Sequence, residues 1–157
     1  MLILGVDPGS EVTGFGLIEC IGEKQILKDY GVIRPDPGSS FSERLKKVYG
    51  GVSEKIAVYR PDQIVVEDVF YKRNVKTLLK MGHIRGVVLL AAVNAGVPVY
   101  EYSPREVKKA VVGSGSASKE QVQFMVKNIL GLKEAPSPND AADALAVAIC
   151  HAHRLSS

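Results

Sequence analysis

Four acidic positions in this chain stand where a fold has little structural use for them. The apolar run Leu2-Ile-Leu-Gly-Val6 ends on Asp7, and Ile64-Val-Val66 ends on Glu67 and Asp68. Burying an unpaired carboxylate is costly. An acid that closes an apolar strand therefore faces solvent, a hydrogen-bonding turn or a cation. Further along, Asp140 and Asp143 lie three residues apart at the head of an alanine-rich segment. That spacing puts both on one face of a first helical turn, where the helix dipole favours negative charge. If the strands ending at Asp7 and Glu67 run parallel, both acids lie at the carboxyl edge, where open α/β sheets bind ligands. Adjacent strand residues point to opposite faces, so only one of Glu67 and Asp68 joins the group, and strand parity in the sequence leaves that choice open.

Each acid alone has a plain explanation: Asp7 starts the Pro8-Gly9 turn, and Asp140 or Asp143 is a first-turn charge. Together, carboxylates converging on one cleft repel unless cations sit among them. Hard divalent ions with oxygen ligands suit such a donor set, Mg²⁺ first and Mn²⁺ as a substitute. No His/Cys spacing suggests zinc. Two such ions about 3.5–4 Å apart are a known device for phosphodiester chemistry.

The elements that must carry these acids follow from punctuation and periodicity. Leu2–Val6 and Gly14–Ile18 read as a hairpin around Pro8-Gly9-Ser10, and Gln25–Ile33 as a third strand. Ser40-x-x-Glu43 has the form of a capping box ahead of Phe41, Leu45, Val48, Val52, Ile56 and Tyr59 at helical spacing. Gly50-Gly51 inside that helix implies close packing or a bend. Gln63–Asp68 reads as a short central strand and Val75–Ala95 as a long helix, apolar on more sides than one neighbour covers. Gly96–Tyr102 gives another strand, Pro104–Val112 a short helix, and Ser118-x-x-Gln121 caps a helix to Leu130. Asn139 is expected to cap the last helix, Ala141–Arg154. The order implies an α/β fold, a mixed five-stranded sheet flanked by helices.

A chain of 157 residues is expected to form one domain, residues 1–157. Its net charge of +3 is mild, yet no acid falls between Val69 and Tyr100 while Lys72, Arg73, Lys76, Lys80 and Arg85 are basic, a local field that favours a polyanion. Cys20 and Cys150 have no metal-ligand spacing, and their apolar surroundings suggest buried reduced thiols and a cytoplasmic location. The N-terminus has no basic leader, and no stretch of spanning length is free of charge, so no membrane role is expected.

Five motifs then carry a resemblance. Gly5-Val-Asp-Pro-Gly-Ser-x-x-Thr-Gly-Phe-Gly16, Val66-Glu-x-Val-Phe70, Gly82-x-x-Arg-Gly-Val87, Lys108-x-x-Val-Val-Gly-x-Gly-x-Ala117 and Asp140-Ala-Ala-Asp-Ala-Leu-Ala146 resemble the RuvC-type Holliday junction resolvases, in order and over nearly the whole chain. The resemblance implies an RNase H-like fold and a Mg²⁺-dependent endonuclease, two ions per site, acting as a homodimer. It implies paired nicks in opposed strands of four-way junction DNA, and a branch-migration motor of the RuvA and RuvB type as partner. It puts the catalytic acids at Asp7, Glu67, Asp140 and Asp143, so that Glu67 is chosen over Asp68 by resemblance. It also matches Phe70 to an aromatic used against bases and Lys108 and Lys119 to residues beside the DNA backbone.

The loop around Phe70, with Lys72 and Arg73, has the aromatic-plus-basic character that suits unstacked bases, and Lys76 extends the basic segment. His151 lies eight residues beyond Asp143, about 12 Å along a helix, too far to share a ligand set. An actin-like or sugar-kinase-like ATPase also opens with strand, acid, glycine turn and strand, but needs two such domains, and no Walker sequence is present. A non-catalytic junction-binding scaffold predicts the loss of at least one acid, and all four are present. The expected dimer interface is the helix Val75–Ala95, with Met81 and Val88 as trial positions on its exposed apolar face.

Overall fold

The computed structural model describes residues 1–68 and 74–157. Five strands, β1 (Leu2–Asp7), β2 (Thr13–Ile21), β3 (Lys24–Ile33), β4 (Gln63–Glu67) and β5 (Val99–Tyr102), form one sheet in the order β3-β2-β1-β4-β5. The meander β1-β2-β3 is antiparallel, whereas β1–β4 and β4–β5 are parallel, so the sheet is mixed as the element order implied. The first two parallel strands thus end at one edge, each on an acid.

Alternation along the strands divides the core. Leu4, Val6, Ile64 and Val66 face α1 (Phe41–Tyr59) and α2 (Val75–Asn94). Ile3 and Val65 face α3 (Pro104–Val112), α4 (Lys119–Ile129) and α5 (Asn139–Leu155). The helix starts carry polar side chains that accept from otherwise unpaired amides. Ser40 accepts from the Glu43 amide, Asn74 from those of Lys76 and Thr77, and Ser103 and Ser118 form reciprocal boxes with Glu106 and Gln121. Asn139 is not a cap: Pro138, in extended backbone, holds that position and Asn139 is already helical, so α5 begins with no side-chain cap.

Gly51 answers the question set by the glycine pair in α1. A Cβ there would come within 2.8 Å of the Ile33 side chain, while Gly50 faces open space. The pair lets α1 lie against β3.

The expected interface helix needs one correction. Val88 is fully buried against the sheet and Met81 lines a cleft, so neither lies on an exposed apolar face. The exposed large apolar residues of α2 are Val75, Leu79, Leu90 and Val93, between 52% and 68% exposed. With Leu45, Leu78 and Val87, Leu79 and Leu90 line a shallow apolar groove between α1 and α2.

Candidate active site

The site is built by register. In the parallel β1–β4 ladder, Gly5 pairs with Val65 and Val6 with Val66, which leaves Asp7 and Glu67 side by side at the two strand ends. Both share strand parity with Ile3, Gly5 and Val65, the face packed on α5. Asp68 follows the opposite parity and meets α2, where Arg85 Nε stands 3.2 Å from its carboxylate. Arg85 also ion-pairs with Glu101 on β5, clamping the ends of β4 and β5 to α2. Parity thus separates Glu67 from Asp68, once the faces covered by α2 and α5 are known.

The other two acids arrive on α5, and missing side chains let them in. A Cβ on Gly5 would overlap the carbonyl oxygen of Ala144, and one on Gly14 the carbonyl oxygen of Asp140. Glycine at these two positions lets the backbone of α5 lie directly on β1 and β2. Gly14 is the ladder partner of Asp7, so the contact fixes the first turn of α5 over the strand end. Asp140 and Asp143 then join Asp7 and Glu67 in a cleft of about 490 Å³ that Lys108 and Lys119 also line.

Crowding is visible in proton affinity. Burial, then the charge and hydrogen bond of Glu67, with Asp143 and Asp140 behind them, hold the Asp7 carboxyl well above its usual range. Burial also raises Glu67, against a hydrogen bond from Asp7 and the charges of Lys119 and Lys108. The two carboxyls crowd one another, and both resist ionisation. Burial raises Asp143 too, opposed by Lys119, whose Nζ is 3.4 Å from its Oδ2. Four carboxylates crowded in one cleft, with no histidine or cysteine among its lining residues, are the donor chemistry of a hard divalent ion. Among the described residues, no three Asp, Glu, His or Cys side chains are already disposed to hold a metal ion.

Of the expected DNA contacts, Lys108 and Lys119 are in the cleft. Lys76 is exposed in the first turn of α2, outside the cleft lining. Phe70, Lys72 and Arg73 lie outside the described residues. His151 is engaged elsewhere: it is buried, its Nε2 bonded to Gln63 Oε1 at 2.6 Å and its Nδ1 to the Tyr102 hydroxyl at 2.8 Å. His83 is exposed, with Nδ1 2.7 Å from the Leu79 carbonyl oxygen. Cys150 is buried and Cys20 partly so; both are free thiols.

Sequence reading missed the Arg85 clamp and the part played by Gly5 and Gly14. The signal was present as glycines inside otherwise apolar strands, which mark a close backbone approach.

Comparison with known proteins places the arrangement. The family described as "Crossover junction endodeoxyribonuclease RuvC" matches residues 3–151. A relative of that name from Pelotomaculum thermopropionicum is 52% identical over 153 residues, covering 98% of this chain and 93% of the relative. One from Desulforamulus reducens is 51% identical over 152 residues, covering 97% and 93%. Thermus thermophilus RuvC in complex with Holliday junction substrate superposes with a TM-score of 0.94 at 41% identity, covering 99% of this chain and 95% of that one. The five-stranded sheet and its helices are accordingly RNase H-like, and the family is one of metal-dependent nucleases that hydrolyse phosphodiester bonds. The chain belongs to the RuvC family of crossover junction endodeoxyribonucleases.

Proposed function

We propose that this chain, acting as a single nuclease domain, resolves four-way DNA junctions by paired, symmetric nicks. The observation that carries the reading is the meeting of Asp7, Glu67, Asp140 and Asp143 in one cleft with Lys108 and Lys119 at its wall. Family membership supplies the substrate class.

Asp7, Glu67, Asp140 and Asp143 would hold the metal, two Mg²⁺ with Mn²⁺ as a substitute. When bound, such a pair activates water and stabilises the leaving oxygen of an in-line phosphoryl displacement. The residues set the terms. All four carboxyls would have to be ionised to hold the ions, and Lys119, paired with Asp143, would give way to them. Lys119 and Lys108 are then free to meet the phosphates of the strand to be cut, as charge-assisted donors. Phe70, Lys72 and Arg73, with Lys76 in the first turn of α2, extend the DNA contact.

Paired nicks require two copies of the site. A C2 homodimer provides them at fixed separation, because an isologous interface repeats one patch on both subunits. The apolar groove at Leu79 and Leu90 is the surface that suits it. The family supports a branch-migration motor of the RuvA and RuvB type as partner. The free thiols Cys20 and Cys150 fit a reducing cytoplasmic setting, and no helix among the described residues is long and apolar enough to cross a membrane.

A supercoiled plasmid extruding a cruciform tests the reading. Mg²⁺-dependent conversion directly to linear product, with little nicked-circle intermediate, is expected. Accumulation of singly nicked circles, or no cleavage with either ion, contradicts it.

A further inference from the structure

A second polar groove adjoins the acid cleft and has no part in the chemistry above. The β1–β2 turn divides the two: Asp7, Pro8 and Gly9 line the cleft, whereas Ser10 and Glu11 line the groove. The start of α2 divides them likewise, with Met81 on the cleft and Thr77 and Lys80 on the groove. Its volume is about 400 Å³, enough for a polar group of some size.

Arg44 of α1 forms its wall. The side chain is only 27% exposed, and Nη1 donates to the Ser10 carbonyl oxygen at 3.2 Å, which fixes the guanidinium beside the turn. Its acidic partner is Glu11, 3.7 Å away and 84% exposed. That carboxylate already occupies an anion position on Arg44, yet so exposed a pair contributes little and is readily exchanged. Lys80 completes the charge, its Nζ 5.7 Å from the Phe41 ring centroid. Thr77 lines the same groove, as does Ser39, whose hydroxyl donates to the Asp36 carbonyl oxygen. A planar guanidinium, an ammonium and the Thr77 hydroxyl around one recess match the oxygens of a phosphodiester.

We infer that Arg44, Lys80 and Thr77 form a second phosphate subsite, which binds the DNA backbone beyond the scissile phosphate while Glu11 holds its place in the free protein. The inference rests on the junction-cleaving reading of the acid cleft. A strand held on both sides of the β1–β2 turn is fixed in register over Asp7. Cleavage geometry is set in this way by contacts remote from the reacting phosphate.

The test is equilibrium binding of a labelled four-way junction, without divalent ions, across a salt series in the Asp7→Asn background. Arg44→Ala and Lys80→Ala should each flatten the plot of log affinity against log salt by about one unit. Arg44→Lys should retain the slope. Glu11→Gln should act in the opposite sense and raise affinity at low salt, since it removes the competing anion. Arg44 also braces the turn, so Lys80→Ala and Glu11→Gln decide the matter if Arg44→Ala fails to fold. Unchanged slopes in Arg44→Ala and Lys80→Ala, or unchanged affinity in Glu11→Gln, overturn the subsite if Lys108→Ala and Lys119→Ala still flatten the plot. If none of the four variants flattens it, the DNA reading of the acid cleft itself fails.

Discussion

Gly14 lies directly beneath the backbone carbonyl of Asp140, with no space between them for a Cβ. Because Gly14 is also the ladder partner of Asp7, this one contact sets the height of the α5 acids above the strand acids. Gly14→Ala should cost about 1–3 kcal/mol by overpacking. A displacement of the first α5 turn by about 1 Å should lower cleavage about 100-fold. Thermal unfolding and junction cleavage measured together check this, and a folded variant cutting at the normal rate contradicts it.

The crowded acids should make the metal-free protein less stable as pH rises. Asp7, Glu67 and Asp143 all have carboxyls raised above their ordinary values of 3.8, 4.5 and 3.8. The folded state therefore binds protons more tightly than the unfolded chain. The stability they contribute is complete below the ordinary values and is lost as pH rises through the raised folded ones. Asp7→Asn removes the most crowded charge. It should stabilise the metal-free protein at neutral pH by about 0.5–2 kcal/mol, as relief of a strained active site does. Melting of both proteins in chelator across pH reads this, and equal curves refute it.

His151 should show the opposite sign. Burial lowers its proton affinity below the ordinary value of 6.5, and its two hydrogen bonds fit a neutral ring that donates from Nε2 to Gln63 and accepts at Nδ1 from Tyr102. Its contribution is intact above 6.5 and is lost as pH falls through 6.5 towards the lowered folded value. His151→Ala should destabilise by about 2–3 kcal/mol at pH 7.5, from lost hydrogen bonds and packing. The gap between wild type and variant should narrow on acidification. A gap independent of pH rules out a neutral, buried role.

Leu79 and Leu90 replace Val88 and Met81 as the positions that probe the proposed dimer. Leu79→Glu and Leu90→Asp put a charge on an exposed apolar groove without disturbing the core. Each should shift sedimentation towards the monomer at micromolar concentration and turn paired nicks into single ones, while melting stays within about 0.5 kcal/mol of wild type. A wild-type protein that is monomeric with and without junction, yet makes paired nicks, contradicts the arrangement.

What the sequence made legible was periodic or chemically exceptional. The apolar runs that end on Asp7 and Glu67 located the strands and the acids, and Ser40, Ser118 and Pro104 marked helix starts. What it hid depended on tertiary contact. Asn139 looked like a cap because its type is right, but the extended backbone at Pro138 put the helix boundary one residue earlier. Val88 looked uncovered because apolar residues surround α2, but only the fold decides which side meets the sheet. Glu67 and Asp68 were indistinguishable by type and neighbour. Their separation needed the face assignment that Gln63, hydrogen-bonded to His151 of α5, and Asp68, ion-paired with Arg85 of α2, make plain.

The four carboxylates are expected to act as one cation-holding unit for phosphodiester cleavage. Single-turnover cleavage and equilibrium binding of one labelled four-way junction, measured side by side in Mg²⁺, test it most directly on Asp7→Asn, Glu67→Gln, Asp140→Asn and Asp143→Asn. Each variant should lose cleavage by at least about 10³-fold, since residues that act as a unit fail together. Each should still bind the junction within a few fold of wild type, because phosphate contacts to basic residues supply most of the affinity. An Asp7→Asn protein that nicks the junction at a near wild-type rate would contradict a cation-holding role for the four acids.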